Sequence, residues 1–286
     1  MEKTKANAPA GTLTPRQRIK HIVKWLKTYA RSAKINTFVV GISGGIDSSV
    51  VNALCAETGI RTIVVQMPIR QNKKLDNRSS MQATWLLDRY KDNVIHMSMD
   101  LTPVFSAFEK KLTAFCYPDS GSLSQTDLAF ANSRARLRMM TLYQIAQCHG
   151  GLVVGTGNKV EDFGVGFFTK YGDGGVDLSP IGDCLKTEVW DMGRELGLEQ
   201  EIIDAEPTDG LWDDGRTDEG QLGMSYPDLE RAMANDQLDR ECVYETLPLP
   251  MAKEEKAQLK RYREIRRRNL HKMEPIPVCK MPKDVL

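Results

Sequence analysis

Residues 38 to 54 constrain the fold more tightly than any other stretch. An apolar run, Phe38-Val39-Val40, enters the turn Gly41-Ile42-Ser43-Gly44-Gly45-Ile46-Asp47-Ser48-Ser49, and Val50, Val51, Ala53 and Leu54 follow at helical spacing. This pattern predicts a strand, a tight glycine turn and a helix N-terminus. Gly44 and Gly45 can adopt backbone angles that other residues avoid, which lets an anion approach the main chain. The unpaired N–H groups and the positive dipole end of the helix face that anion, so the turn is an anion cradle with phosphate as the expected guest. It is neither a Walker loop, which needs a Lys-Ser or Lys-Thr pair, nor a dinucleotide fingerprint, which needs three spaced glycines. Asp47 instead brings a hard carboxylate suited to Mg²⁺ on phosphate oxygens, and Ser48 can cap the helix or touch phosphate.

Around this unit, strand and helix patterns alternate. Thr14-Pro15-Arg16-Gln17 reads as a capping box with Pro at the first helical position, followed by a stripe of Ile19, Ile22, Val23, Leu26 and Tyr29. Thr62-Ile63-Val64-Val65 and Val94-Ile95-His96-Met97 are expected strands, the helix of Met81, Leu86 and Tyr90 lies between them, and another helix runs from Pro103 to Phe115. A long helix is expected over 125–147, and Leu152-Val153-Val154-Gly155 is the fourth strand. Alternation of this kind predicts a parallel, Rossmann-like α/β sheet with helices on both faces, whose ligands bind beyond the carboxyl ends of the strands. Gln66, Met67, Pro68 and Arg70 leave the second strand at that edge and are candidates for an adenosine pocket. His96 reads as a core or rim histidine. On the long helix, Asn132 and Arg136 sit one turn apart, an amide and a guanidinium suited to a polar or anionic ligand, while Arg134 and Arg138 are expected elsewhere around it. The tail from Ala252 to Lys272 is a basic helix with Leu259, Tyr262 and Ile265 inward and Lys256, Lys260, Arg263, Arg266, Arg267 and Arg268 outward, expected as a solvated face or subunit contact.

The net charge of +1 in 286 residues argues against a general nucleic-acid binder. Six scattered cysteines with no Cys-x-x-Cys pair point to reduced thiols in the cytoplasm, and no stretch approaches a membrane span. Residues 1–13 are expected as a flexible tail and 14–286 as one domain.

The Ser-Gly-Gly-x-Asp-Ser arrangement at 43–48 resembles the pyrophosphate loop of the ATP pyrophosphatases. The segment Thr156-Gly157-Asn158-Lys159-Val160-Glu161, with Gly166-Phe167-Phe168-Thr169-Lys170-Tyr171-Gly172-Asp173-Gly174-Gly175-Val176-Asp177, narrows the resemblance to the NAD⁺ synthetases. The likeness continues through Pro180-Ile181, Lys186, Glu206-Pro207-Thr208, Asp218-Glu219, Leu222 to Tyr226 and His271-Lys272, from about residue 15 to about 275. It implies an adenine nucleotide alpha hydrolase-like fold and the ATP-dependent amidation of nicotinic acid adenine dinucleotide (deamido-NAD). The substrate carboxylate becomes an acyl-adenylate with release of pyrophosphate, and ammonia then displaces AMP. It also implies that Gly41 to Ser48, Thr156, Lys186 and Thr208 hold ATP, that Asp47 and Glu161 hold Mg²⁺, with Asp162 as the other candidate for the second ligand, and that Asn132, Arg136, Lys170, Asp177, His271 and Lys272 hold deamido-NAD. Asp173, or else Asp177, is the candidate base for ammonium. The rival readings are another adenylating pyrophosphatase, GMP synthetase-like or tRNA-thiolating, and a non-catalytic ATP-binding sensor. Glutamine-dependent relatives carry a large amidase domain before the synthetase part, and only about forty residues precede the loop here, so free ammonia, or ammonia from a separate protein, is the expected donor; the resemblance also implies a homodimer.

Overall fold

A computed structural model of the chain describes residues 13–71, 73–116, 123–208, 217–241 and 251–281. Four parallel strands, β1 (Thr37–Ile42), β2 (Arg61–Gln66), β3 (Val94–Ser98) and β4 (Leu152–Val154), form one sheet in the order β3-β2-β1-β4. The strands alternate faces with period two, and both faces are covered, which is why each reads as a continuous apolar run. Phe38 and Val40 point into a core shared with α1 (Pro15–Ala33), α2 (Ile46–Glu57) and α6 (Lys186–Leu196). Val39, Ile63 and Val65 point the other way, against α4 (Thr102–Cys116) and α5 (Leu123–Cys148), where Phe105, Phe130 and Ala146 meet them. Helix α3 (Lys73–Tyr90) covers Val64 and Val94 with Ala83 and Leu86.

Helix α1 starts as its sequence requires: Thr14 Oγ1 accepts from the Gln17 N–H at 3.3 Å, and Gln17 Oε1 accepts from the Thr14 N–H at 2.9 Å. His96 is half-buried on the edge strand β3, its Nε2 enclosed without a partner among the described residues, and desolvation holds its pKa below the usual histidine value.

The segment after β4 departs from a simple loop. Lys159–Val165 forms a π-helical turn, Gly166 closes it with φ of 67°, and it packs with α9 (Tyr226–Glu241) and α10 (Lys253–Met273) through Val160, Val165, Leu229 and Tyr262. Short helices α7 (Gln200–Ile203) and α8 (Asp218–Leu222) complete the described elements. Two arginines of α10 do not simply face solvent: Arg263 Nε donates to Asp236 Oδ1 at 2.6 Å, and Arg266 Nη1 donates to the Phe163 carbonyl at 2.6 Å. A basic stripe hides such pairings because helical period gives the angle of a side chain, not what packs beside it. No described helix is long and apolar enough to cross a membrane.

The chain leaves β1 through β2 to β3, then returns to place β4 on the other side of β1. Strand order reverses there, so the loops after β1 and β4 flank a crevice at the carboxyl edge of the sheet.

Candidate active site

Gly44 carries the positive φ of the cradle, 78°, whereas Gly45 is the helix N-cap at an ordinary −93°. Ser48 does not cap the helix. Its Oγ lies 2.8 Å from Ser43 Oγ and donates to the Gly45 carbonyl at 3.1 Å, folding the turn on itself. Asn52, a residue the motif does not announce, donates from Nδ2 to the Gly41 and Ser48 carbonyls at 3.2 and 2.7 Å. The cradle is thus held from below by a wholly buried amide.

Because β1 and β4 are neighbours, with Val40 opposite Val154, the cradle faces Thr156-Gly157-Asn158. Asn158 links the two loops. Its Oδ1 accepts from the Val160 and Glu161 N–H groups at 3.1 and 3.0 Å, capping the π-helical turn, and its Nδ2 donates to Asp47 Oδ1 at 3.2 Å. Lys186, at the first turn of α6 and 2% exposed, places Nζ 2.5 Å from Asp47 Oδ2 and 2.9 Å from Glu161 Oε1. Tyr226, at the start of α9, donates its hydroxyl to Glu161 and lies 3.3 Å from Asp218 Oδ2, with its ring under the Lys186 ammonium at 4.8 Å. Burial pushes the Asp47 carboxyl above its usual range against the pull of Lys186; burial alone would lower Lys186, but the two carboxylates outweigh it and raise it.

Asp162 points elsewhere. A Cβ on Gly157 would meet its Oδ2 at 1.9 Å, so only glycine leaves room for this carboxyl. Burial, with Asp173 next and then Glu161 and Asp47 adding to it, raises it well above the carboxylate range. Glu161, not Asp162, shares a cation with Asp47. Among the described residues no three His, Cys, Asp or Glu side chains form a closed metal cage. Two hard oxygens converging on one cationic atom and open toward the cradle fit Mg²⁺, which takes one or two carboxylates and completes its shell with phosphates and water.

The crevice is lined further by Gln66, Met67 and Pro68 from the end of β2, by Asp173 and by Glu206, Pro207 and Thr208. Arg70 is turned away: its Nη2 lies 2.6 Å from Glu109 Oε2 on α4. Arg138, expected elsewhere around α5, lines the crevice, with Nε donating to the Met67 carbonyl at 3.0 Å. Helical spacing separated it from Arg136 correctly; which of the two sides meets the crevice depends on how α5 lies on the sheet.

Residues proposed for a second substrate gather outside this crevice. Asn132 Oδ1 accepts from Thr169 Oγ1 at 2.7 Å, Arg136 Nε donates to the Lys170 carbonyl at 3.3 Å, and Lys170 Nζ donates to the His271 carbonyl at 2.5 Å. Lys272 Nζ reaches the Gly166 and Phe168 carbonyls at 2.9 and 2.8 Å. This cluster joins α5, the 166–175 segment and the end of α10, and Asp173 lies between it and the crevice, its Oδ1 accepting from the Thr169 N–H at 2.9 Å. Asp177 is apart from both. Its carboxylate accepts from the Val153 N–H at 2.8 Å and the Tyr143 hydroxyl at 3.1 Å, bracing the edge of β4.

The NAD synthase family model matches residues 18–275. The chain belongs to the NAD synthase family. Among relatives, the NH(3)-dependent NAD(+) synthetase of Carboxydothermus hydrogenoformans is 36% identical over 228 residues, covering 79% of this chain and 88% of that protein. That of Methanosarcina acetivorans is 38% identical over 205 residues, 72% of this chain and 76% of that protein. A solved NMN synthetase from Francisella tularensis superposes with a TM-score of 0.76 at 28% identity, over 95% of this chain and all of that one. An NH3-dependent NAD synthetase from Campylobacter jejuni has a TM-score of 0.70 at 21% identity over 94% of this chain and all of that one, a likeness of fold. The NAD synthase match spans the residues of both the crevice and the α5–α10 cluster.

Proposed function

We propose that this NAD synthase family member makes NAD from ATP, deamido-NAD and ammonia, with the crevice as the ATP and adenylation site and the α5–α10 cluster holding the dinucleotide. The observation that carries this reading is the convergence of Asp47 and Glu161 on one buried cation beside the glycine cradle. A site with that charge pattern is suited to a metal-bound triphosphate whose pyrophosphate end leaves.

A carboxylate is too poor an electrophile for ammonia until its oxygen is made a leaving group. The nicotinate oxygen forms a bond to the α-phosphorus as the bond to the β-phosphate oxygen breaks. Asp47 and Glu161 would hold Mg²⁺, which when bound offsets triphosphate charge. The 43–48 cradle and Lys186 take up the charge that grows on pyrophosphate, Thr156 and Thr208 flank the nucleotide, and Gln66 and Met67 border the adenosine. Ammonia then forms the C–N bond, the acyl C–O bond breaks, and AMP leaves with the electron pair. Asp173, between crevice and cluster, accepts the proton that ammonium must lose. Asp177 serves through β4, as its hydrogen bonds support.

Exposed apolar side chains on α4 and α5, Val104 at 54%, Phe108 at 45%, Leu128 at 50% and Met140 at 59%, support a homodimer. Residues 14–286 act as one domain, and free thiols at Cys55, Cys148, Cys184 and Cys279 support a cytoplasmic setting.

The test is release of AMP and pyrophosphate with ATP, Mg²⁺, ammonium and one acceptor at a time. Turnover with deamido-NAD is expected. Turnover only with nicotinate mononucleotide or with XMP, or none with any acceptor, would reject the reading.

A further inference from the structure

Arg138 is a cation in the crevice whose hydrogen bonds go to neutral groups. It follows Arg136 by two residues, which turns it about 200° around α5 and away from the dinucleotide cluster. Its Nε donates to the Met67 carbonyl at 3.0 Å and its Nη2 to Gln71 Oε1 at 3.2 Å. Both acceptors are neutral, and among the described residues no carboxylate lies within ion-pair distance of it. Burial lowers its pKa to about 10, Arg134 adds to that, and Asp173 pulls the other way. A desolvated guanidinium whose hydrogen bonds reach only neutral groups is costly, whereas its planar fork matches a phosphoryl group.

Position decides which phosphoryl group. Met67, the residue after β2, and Asp173 line the same crevice as Arg138, and in the amidation reading the first borders the adenosine and the second takes the proton of ammonium. In an acyl-adenylate, only the α-phosphoryl group is bonded both to the adenosine and to the acyl oxygen, so it lies between those two landmarks. We propose that Arg138 holds the α-phosphoryl group of the adenylate, stabilising the charge on its non-bridging oxygens while the acyl bond forms and breaks; this rests on the amidation reading above. The competing role is a strut that only anchors the Met67–Gln71 turn.

The full-length protein and its Arg138→Met, Arg138→Lys and Gln71→Ala variants are compared in two measurements. The first is exchange of labelled pyrophosphate into ATP, dependent on deamido-NAD and without ammonia, which reads adenylation alone. The second is calorimetric binding of AMP and of pyrophosphate. Arg138→Met is expected to slow exchange about 100-fold, as loss of one preorganised donor to a developing oxyanion does. It should weaken AMP about tenfold and leave pyrophosphate binding unchanged, with Arg138→Lys intermediate and Gln71→Ala near wild type. Exchange within threefold of wild type, equal weakening of AMP and pyrophosphate, or Gln71→Ala matching Arg138→Met would overturn the proposal. If Arg138→Met does not fold, Arg138→Lys decides: exchange at the wild-type rate rejects the role. If the wild type itself shows no exchange with deamido-NAD, the amidation reading fails, and the AMP-against-pyrophosphate comparison still judges Arg138.

Discussion

The ammonium of Lys186 sits 2.5 Å from Asp47 Oδ2, 139 residues away in sequence, at the point where Asp47 and Glu161 would share a divalent cation. In the proposed function, lysine and metal would compete for the same two carboxylates, and a bound metal would free Lys186 to face the triphosphate.

Replacing Lys186 with Met leaves two part-buried carboxylates facing each other. Breaking a buried pair in this way costs about 3 kcal/mol. In thermal unfolding, Lys186→Met should melt well below wild type without metal, and Mg²⁺ alone should raise the melting temperature more in the variant than in wild type. An equal Mg²⁺ response in both proteins would show that the lysine does not occupy the metal position.

Tyr226 donates to Oε1 of Glu161, the oxygen that also accepts from Lys186. Removing the hydroxyl as Tyr226→Phe loosens a ligand through its partner, an effect typically worth about 10- to 100-fold in metal affinity. The Mg²⁺ concentration for half-maximal activity should rise by about that factor, while kcat at saturating Mg²⁺ changes far less. A fall in kcat with an unchanged Mg²⁺ requirement would count against this role.

Gly157 and Asp162 form a steric pair. Gly157→Ala drives a methyl into Asp162 Oδ2 and should destabilise the fold by about 1–3 kcal/mol. Combining it with Asp162→Ala removes the clash, so the double variant should be more stable than the sum of the two single changes allows. Additive losses in denaturant titrations would place the strain elsewhere.

Asp173→Asn keeps the size of the side chain and an acceptor for the Thr169 N–H. General-base loss is worth about 10²- to 10⁴-fold. Amidation with ammonium should slow on that scale while pyrophosphate exchange, which needs no ammonia, stays close to wild type. If amidation keeps its rate, Asp173 is not the base.

Much of the fold was legible because β1 and β2 are buried on both faces and α1 and α2 carry their own start signals, at Thr14 and in the 41–49 turn. The elements after Val176 were less so. Helices α6, α8 and α9 are short or weakly patterned, and Tyr226 faces Lys186 only because α9 packs beside the π-helical turn. That turn carries no periodic signal, since a π-helix has neither the 3.6-residue nor the two-residue period that makes other elements visible.

Local chemistry sufficed for the anion cradle, the parallel sheet and the family, since turn residues, burial period and motif spacing act within a few residues of themselves. Only the tertiary structure decided that Glu161 rather than Asp162 faces Asp47, that Arg70 turns out while Arg138 turns in, and that Asp177 braces β4. Those outcomes depend on strand order and helix packing, which bring together groups tens to hundreds of residues apart, and no periodicity in the chain encodes which side of a helix its neighbours will occupy.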